Sequence, residues 1–426
     1  MTLLNRTIAP AIVDAVHYQM ELKPCEQHQL NNGVPVYMID AGTEEVLQVE
    51  WVFWAGNCFE NQNLVAATTN YLLRNGTSTK TAFQIDEQVD YLGAYLNRSC
   101  FSEQATITLH CLTKHISQLL PLVRELVTDA SFPAEELQLY QQNMKQRLNV
   151  NLRKSDFVAG RLIDTYLFGE GHPYGKFSSA ESYDALSRDQ LLAFYDQYYR
   201  QGQFALFVAG KIPTGFIDSL NQLFGDLSNQ QRVIPVHPIQ VADQKKFRIQ
   251  NDVNGVQGAI RLARPFPNRH HPDFIPALVL NTVFGGFFGS RLMSNIREDK
   301  GYTYGIHSYL LNLQQRSAWM VSTEAGKDVC EATIREVYAE MELLRNELIS
   351  EEELALVRNY MMGGILGDLD GPFQLIGRWK NLILNDLSPA HFYSTIDQIR
   401  NCSPQQLRAL AQQYLQPDDF YELVVI

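Results

Sequence analysis

The 426-residue chain is poor in charge: Asp, Glu, Lys and Arg make up 19% of it, and 35 basic against 47 acidic residues leave a net charge of −12. A net-acidic chain lacks the cationic surface that displaces counterions from a nucleic-acid backbone. It also has no polybasic stretch to hold an anionic membrane. Long hydrophobic runs are missing too. The longest, FIPALVLNTVFGGFFG from Phe274 to Gly289, contains Asn281 and falls short of the roughly 20 residues of a membrane span. It reads as a buried core helix. The N-terminal MTLLNRTIAPAIVDAVHYQ has no continuous apolar segment, since Asp14 interrupts it. No signal peptide is read there, and a cytoplasmic location is expected; a periplasmic one would require a leader already removed. The six cysteines (Cys25, Cys58, Cys100, Cys111, Cys330 and Cys402) form no C-x-x-C pair. A chain of this size needs no disulfide staples, so free, mostly buried thiols are expected. The glycosylation-type sequons at Asn5, Asn75 and Asn97 then carry no weight. What is plentiful is apolar: 45% hydrophobic and 11% aromatic residues exclude a disordered chain. The length allows two to three domains.

Short catalytic motifs are absent as well: H-E-x-x-H, H-x-x-E-H, G-x-S-x-G and the Walker A loop are not found. GGFFGS (Gly285 to Ser290) lacks the lysine and spacing of a phosphate loop. His110 and His115 are five residues apart, with His110 on the polar face of a strand pattern, so no shared metal is expected. His270 and His271 sit in a loop before a helix, and His172 lies in the Gly/Pro turn GEGHPYGK. All read as structural. Glu135 and Glu136 follow Pro133 in a first helical turn, where the helix dipole explains them.

An internal repeat organises the chain. FPAEELQLYQQNM (Phe132 to Met144) recurs as ISEEELALVRNYM (Ile349 to Met361) at an offset of 217, and LSRDQLLAFYDQYY (from Leu186) recurs as CSPQQLRALAQQYL (from Cys402) at an offset of 216. Ser187 and Ser403 each precede a glutamine three residues on, the arrangement of a capping box, and Pro404 suits a first helical position. Both copies run into a terminal strand, FALFVAG from Phe204 and FYELVVI from Phe420. Strand alternation is read in VPVYMI (Val34 to Ile39), in LQVEWVFW (Leu47 to Trp54) and from Ala105 to Cys111. Helices are read with Leu64, Ala67, Thr68, Tyr71 and Leu72 on one face, and through Ile116, Leu119, Leu120, Val123 and Val127. The second half repeats this with strands near 302–323 and a helix through Val329, Thr333, Val337, Met341 and Leu344. VIPVHPIQ (Val233 to Gln240) reads as an extended linker. The expected fold is α+β: two homologous domains, residues 1–230 and 231–426 with a linker at about 229–243, each a largely antiparallel sheet packed with helices.

From about His28 onward, the order of these pieces resembles the insulinase and mitochondrial-processing-peptidase family of inverted-motif zinc proteases. The N-terminal signature is a hairpin, a glycine, an acid and a helix ending in Gly-Thr, here NNGVPVYMI, AGNCFENQN and LVAATTNYLLRNGT. The resemblance implies that active members carry H-x-x-E-H on that helix. Counting back from Gly76-Thr77, those positions here are Ala67, Thr68, Thr69, Asn70 and Tyr71. The third ligand, a glutamate on a later helix, would fall within Lys145 to Asn151, KQRLNVN, which contains no carboxylate. Catalytic zinc needs three protein ligands and an open position, so no zinc is expected on this chain.

The second half departs less. GGFFGSRLMSNIREDKGYTYGIHS (Gly285 to Ser308) resembles the family's C-terminal signature, in which an Arg and a Tyr seven residues apart face the zinc site; here they are Arg297 and Tyr304. A guanidinium and a phenol can hydrogen-bond a scissile carbonyl and the adjoining backbone. The alternative reading makes Arg297 an ordinary surface cation beside Glu298 and Asp299, and Tyr304 a core residue. Gly285, Gly286, Phe287, Phe288 and Gly289 lie where related non-catalytic subunits carry a glycine-rich substrate loop, here interrupted by two phenylalanines. The resemblance implies a zinc-less subunit of a heterodimeric zinc endopeptidase. It would bind no cofactor itself and would complete, with Arg297 and Tyr304, a site whose zinc and general base lie on a homologous partner, with peptide docking by strand addition. The rival expectations are a proteolytically inactive scaffold, like the core proteins of the respiratory cytochrome complex, and a homodimeric peptide-binding shell. No nucleic-acid or membrane partner is expected.

Overall fold

The computed structural model describes residues 12–426; most of the segment read for a signal peptide lies outside them. The first sheet contains β1 (Glu26–Gln29), β2 (Pro35–Asp40), β3 (Val46–Phe53), β4 (Tyr95–Cys100), β5 (Ala105–Leu112) and β6 (Phe204–Gly210), laid in the order β1-β2-β6-β3-β5-β4. The second contains β7 (Lys246–Ile249), β8 (Gln257–Phe266), β9 (Ile306–Asn312), β10 (Ser317–Gly326) and β11 (Tyr421–Val425), in the order β7-β11-β8-β10-β9. Leaving out β1, the two orders are the same topology. In each, the strand that closes the half slides between the first two and runs parallel to one of them, β6 to β2 and β11 to β7. All other pairings are antiparallel. The fold is α+β, as the segment pattern implied.

The repeated segments form equivalent helices, Ala134–Asn151 with Glu351–Gly367, and Arg188–Tyr195 with Pro404–Tyr414. Ser187 and Gln190 make both bonds of a capping box, whereas Ser403 makes only the forward one, its hydroxyl accepting the Gln406 N–H. The apolar run from Phe274 is a buried helix to Asn281, continued by a wider turn to Gly286. It stops there, short of the Gly289 that the sequence run reached. Phe287 becomes extended, and Phe288 and Gly289 are exposed. The six cysteines are free thiols. Among the described residues, no helix is long and apolar enough to cross a membrane.

The interior explains why β6 is buried along its whole length. One side of the first sheet, with Val49, Trp51, Phe53, Leu206 and Val208, packs on helices of its own half. The other side, with Val52, Ala205, Phe207 and Ala209, joins a core with Leu375, Ile376, Trp379 and Leu382. These belong to the helix Pro372–Leu384, from the second half. The favour is returned: Ala259, Ala263, Leu423 and Val425 of the second sheet share the first core with the helix Ser155–Phe168, whose Tyr166 ring stacks on Phe247 at 3.8 Å. Strands covered on both faces lose the apolar/polar alternation of a half-exposed sheet. Residues 229–243 form no helix or strand, but they are pinned. The His237 ring donates to the Cys58 carbonyl at 2.9 Å, and the Ala242 N–H donates to the Tyr166 carbonyl at 2.9 Å.

Candidate functional site

The helix Val65–Leu72 is started by a carboxylate. Leu64 sits in the left-handed region at φ 76°, and Glu60 accepts the N–H groups of Leu64 at 3.2 Å and Ala66 at 3.0 Å. That capping satisfies donors otherwise orphaned at a helix start. Burial pushes the Glu60 carboxyl above its ordinary range, while these N–H groups and Lys176 oppose the shift. The acid of the N-terminal signature therefore has a structural task.

The apolar face expected for this helix is not the one that packs. Thr68 and Leu72 are buried, but so are Ala66, Thr69 and Asn70, whereas Ala67 is half-buried and Tyr71 exposed. The helix is covered on two sides, by β4 and by the helix Arg188–Tyr195, so polar residues lie in its buried arc. Asn70, 2% exposed, donates to the Thr106 carbonyl at 3.2 Å and to the Tyr199 hydroxyl at 3.1 Å. It is locked into the core. Tyr71 lays its ring 4.8 Å from Tyr140, whose ring in turn meets Tyr183 at 6.3 Å. The Arg98 guanidinium sits 5.2 Å over Tyr71 and donates to its carbonyl. Within Lys145 to Asn151, Lys145 pairs with Asp184, and Leu148 is buried. Where a zinc helix would present two imidazoles there is a methyl group and a phenol under a guanidinium. These residues do not fit a zinc ion, and among the described residues no group of three His, Cys, Asp or Glu side chains is placed to hold a metal.

Arg297 lies on the wide helical turn Met293–Asp299, anchored by the buried Met293 and Ile296. Its upstream neighbour Arg291 grips Glu353 with two bonds of 2.8 and 2.9 Å. Gly301, at φ +65°, allows the chain to reverse, and the Tyr302 N–H returns to the Ile296 carbonyl at 3.0 Å. That reversal brings residue 304 beside residue 297: Arg297 Nε donates to the Tyr304 carbonyl at 3.1 Å. The guanidinium lies 4.7 Å over the Phe288 ring and 3.8 Å from the Glu298 carboxylate. Tyr304 is 91% exposed, which excludes the core reading of it. Of the glycine-rich stretch, Gly285 is buried, Gly286 and Phe287 are half-buried, and only Phe288 and Gly289 are exposed. Phe287 packs on Tyr360 at 4.9 Å. The sequence could not show that Phe288 braces Arg297, because a lone exposed aromatic carries no pattern.

The histidines weighed as structural are placed apart from this pair. His110 Nε2 meets Gln48 Oε1 at 3.2 Å across the sheet. His172 is buried, its Nδ1 accepting the Tyr174 N–H at 3.0 Å.

Residues 185–361 match the family described as Peptidase M16 inactive domain. Over 413 residues the chain is 22% identical to the uncharacterized zinc protease YmxG of Bacillus subtilis, a match covering 94% of this chain and 98% of the relative. The structure of a peptidase M16 inactive domain from Pseudomonas fluorescens superposes with a TM-score of 0.86 at 22% identity, covering 95% of this chain and 98% of that one. The periplasmic protease PqqL of Escherichia coli superposes with a TM-score of 0.78 at 14% identity, covering 100% of this chain and 49% of PqqL. These two structures are likenesses of fold. With the signature from Gly285 to Ser308 in place, the chain is similar to M16 peptidases along its length and matches that family's inactive domain over residues 185–361.

Proposed function

We propose that the chain is the zinc-less subunit of a two-chain M16 endopeptidase, presenting Arg297 and Tyr304 to a peptide held at a homologous partner's zinc. The observation that carries this reading is the exposure of Tyr304 beside a guanidinium already aimed and braced. At 91% exposure the Tyr304 side chain is open to a partner's peptide. Arg297 spends its Nε on the Tyr304 carbonyl and its Nη1 lies 3.8 Å from Glu298, so Nη2 remains to donate to a peptide carbonyl, and the Tyr304 phenol can donate to the adjoining backbone. Both would favour the oxyanion that develops during attack. The partner's zinc would supply polarisation of the attacking water. The fit of the whole chain to about half of PqqL supports a half-assembly completed by a second chain. β4 and β9 end their sheets and offer edges for an extended peptide. The proposed compartment is the cytoplasm; recovery in a periplasmic extract would overturn that part.

The test mixes this chain with a zinc-bearing M16 partner from the same genome and follows cleavage of an unstructured peptide. Arg297→Ala should lower kcat by about a hundredfold, and Tyr304→Phe by less. Full activity of the partner alone, or of the mixture containing both variants, would leave the chain as an inert scaffold.

A further inference from the structure

A cleft of about 840 Å³ opens in the second half between the helices Phe274–Asn281, Glu351–Gly367, Pro372–Leu384 and Pro389–Asn401. Its size is that of a small-molecule site. Its floor is apolar, with Phe274, Ile275, Leu382, Phe392 and Ile399 all buried. One wall is bare helix backbone at Gly363 and Gly364, where an added Cβ would meet nothing within 4 Å. Two adjacent glycines inside a helix are unfavourable, and here their effect is to keep the space open.

Over this apolar space stands Arg269. Its Nε donates to Asn312 Oδ1 at 3.0 Å and its Nη1 to Asn381 Oδ1 at 2.7 Å. Both partners are neutral. They fix the plane of the guanidinium and leave three of its five N–H donors free. Among the described residues no carboxylate pairs with it. Burial lowers its pKa, and no neighbouring acid offsets the shift. The other guanidinium of the cleft, Arg378, does have its acid, Asp368 at 2.7 Å. The field is felt nearby: burial first, then Arg269 and His270, hold His391 below its ordinary range. Two guanidiniums and one carboxylate leave a single uncompensated positive charge at an apolar cavity, in a chain whose net charge is −12. A half-buried cation without a counter-ion is unfavourable unless something supplies one.

We propose that this cleft binds a monocarboxylate with an apolar body, Arg269 holding the carboxylate and the Phe274–Phe392 floor holding the body. A single negative charge matches the single unpaired cation. A phosphate monoester would bring nearly two, and Arg378 is already committed to Asp368. The chemistry has two sources, the C-terminal carboxylate of a peptide ending in leucine and a free medium-chain fatty acid. Neither Arg297 nor Tyr304 lines the cleft, so it is tested on the isolated full-length chain and stands or falls apart from the proposed peptidase role.

Calorimetric titration with decanoate, with the peptide Gly-Ala-Gly-Ala-Leu-Leu and with the same peptide amidated at its C-terminus decides the matter. Saturable binding by decanoate or by the free-acid peptide is expected, and which of them saturates identifies the source. Amidation, or removing the guanidinium by Arg269→Met, should weaken that binding about tenfold or more. Gly364→Leu, which fills the cleft from a position with room for a side chain, should weaken it comparably without lowering the melting temperature. This second variant keeps the test sound if Arg269→Met folds poorly. The proposal is overturned if neither acid saturates below about 1 mM, if the amide binds as well as the acid, or if folded Arg269→Met or Gly364→Leu binds like the native chain.

Discussion

Glu50 and Arg261 stand at the same place in the two sheets and carry opposite charges. Glu50 lies opposite Phe207 in its ladder and Arg261 opposite Leu423, and 207 and 423 are separated by the repeat offset. Each is 5% exposed, and each reaches across to the other half. Lys380 donates to both Glu50 oxygens at 2.9 and 2.7 Å, and Arg261 donates to Asp156. The strand position under the crossing helix is thus a polar clamp in both copies, with its sign reversed.

That clamp is testable by asking what happens when one partner is removed. Lys380→Met should destabilise the chain by about 3 kcal/mol, because Glu50 is left charged beneath a helix. Glu50→Gln with Lys380→Met should recover much of the loss. Urea unfolding of the two variants measures both. Equal destabilisation by single and double substitution would contradict the argument.

The Val65–Leu72 helix should resist conversion to a zinc-binding one. Asn70→Glu replaces an amide that donates to the Thr106 carbonyl with a carboxylate that cannot donate and faces that same oxygen. A loss of about 3 kcal/mol or more is expected. Adding Ala67→His and Tyr71→His should not produce a stoichiometric zinc site, since Lys145 to Asn151 still offers no carboxylate. Thermal melting and metal analysis check this, and a stable triple variant carrying one zinc would refute it.

Acid should loosen the first half through His172. Burial first, then His237 and Arg316, lower its pKa from 6.5 to about 4. The unfolded chain then takes up the proton before the folded one, so the stabilisation is complete above pH 6.5 and declines as pH falls toward 4. Protonation also places a hydrogen on Nδ1, which now accepts the Tyr174 N–H. His172→Asn keeps an acceptor and removes the titration. The variant's melting temperature should fall less than the native chain's over this range, by an amount worth up to about 3 kcal/mol. Identical pH profiles would exclude His172 as the source.

Cutting the chain within residues 229–243 should not separate the halves. The exchanged helices Ser155–Phe168 and Pro372–Leu384 bury apolar surface on the opposite sheets, far more than the linker's few hydrogen bonds contribute. Size-exclusion chromatography of a chain nicked at an engineered protease site should show one peak of unchanged volume, and two half-size peaks would disprove it.

Much of the scaffold could be read from sequence because local physics writes it there. Alternation in Ala105 to Cys111 marks a strand, and Ser187 with Gln190 marks a helix start. The FALFVAG run marked a terminal strand, but not that both its faces are covered nor which helix covers the second. The Val65–Leu72 helix was misjudged because Asn70 is buried for hydrogen bonding, which hydrophobic periodicity cannot register. Ala67, Asn70, Tyr71, Arg297 and Tyr304 became visible only through the resemblance of the surrounding segments to a family. Arg269 gave no signal at all, since the asparagines that aim it lie 43 and 112 residues away in the chain.

The exchange of helices has a consequence for how such a chain can change over generations. Neither copy of the repeat owns a finished interior, so neither could be lost, swapped or shuffled into another protein without exposing an oily sheet face. A substitution at Trp379 is felt in the first sheet, and one at Tyr166 is felt in the second. The two copies are therefore free to differ in surface chemistry, one setting Tyr304 beside Arg297 while the other lays Tyr71, Tyr140 and Tyr183 against one another. In their cores they must drift together, as a single inherited unit.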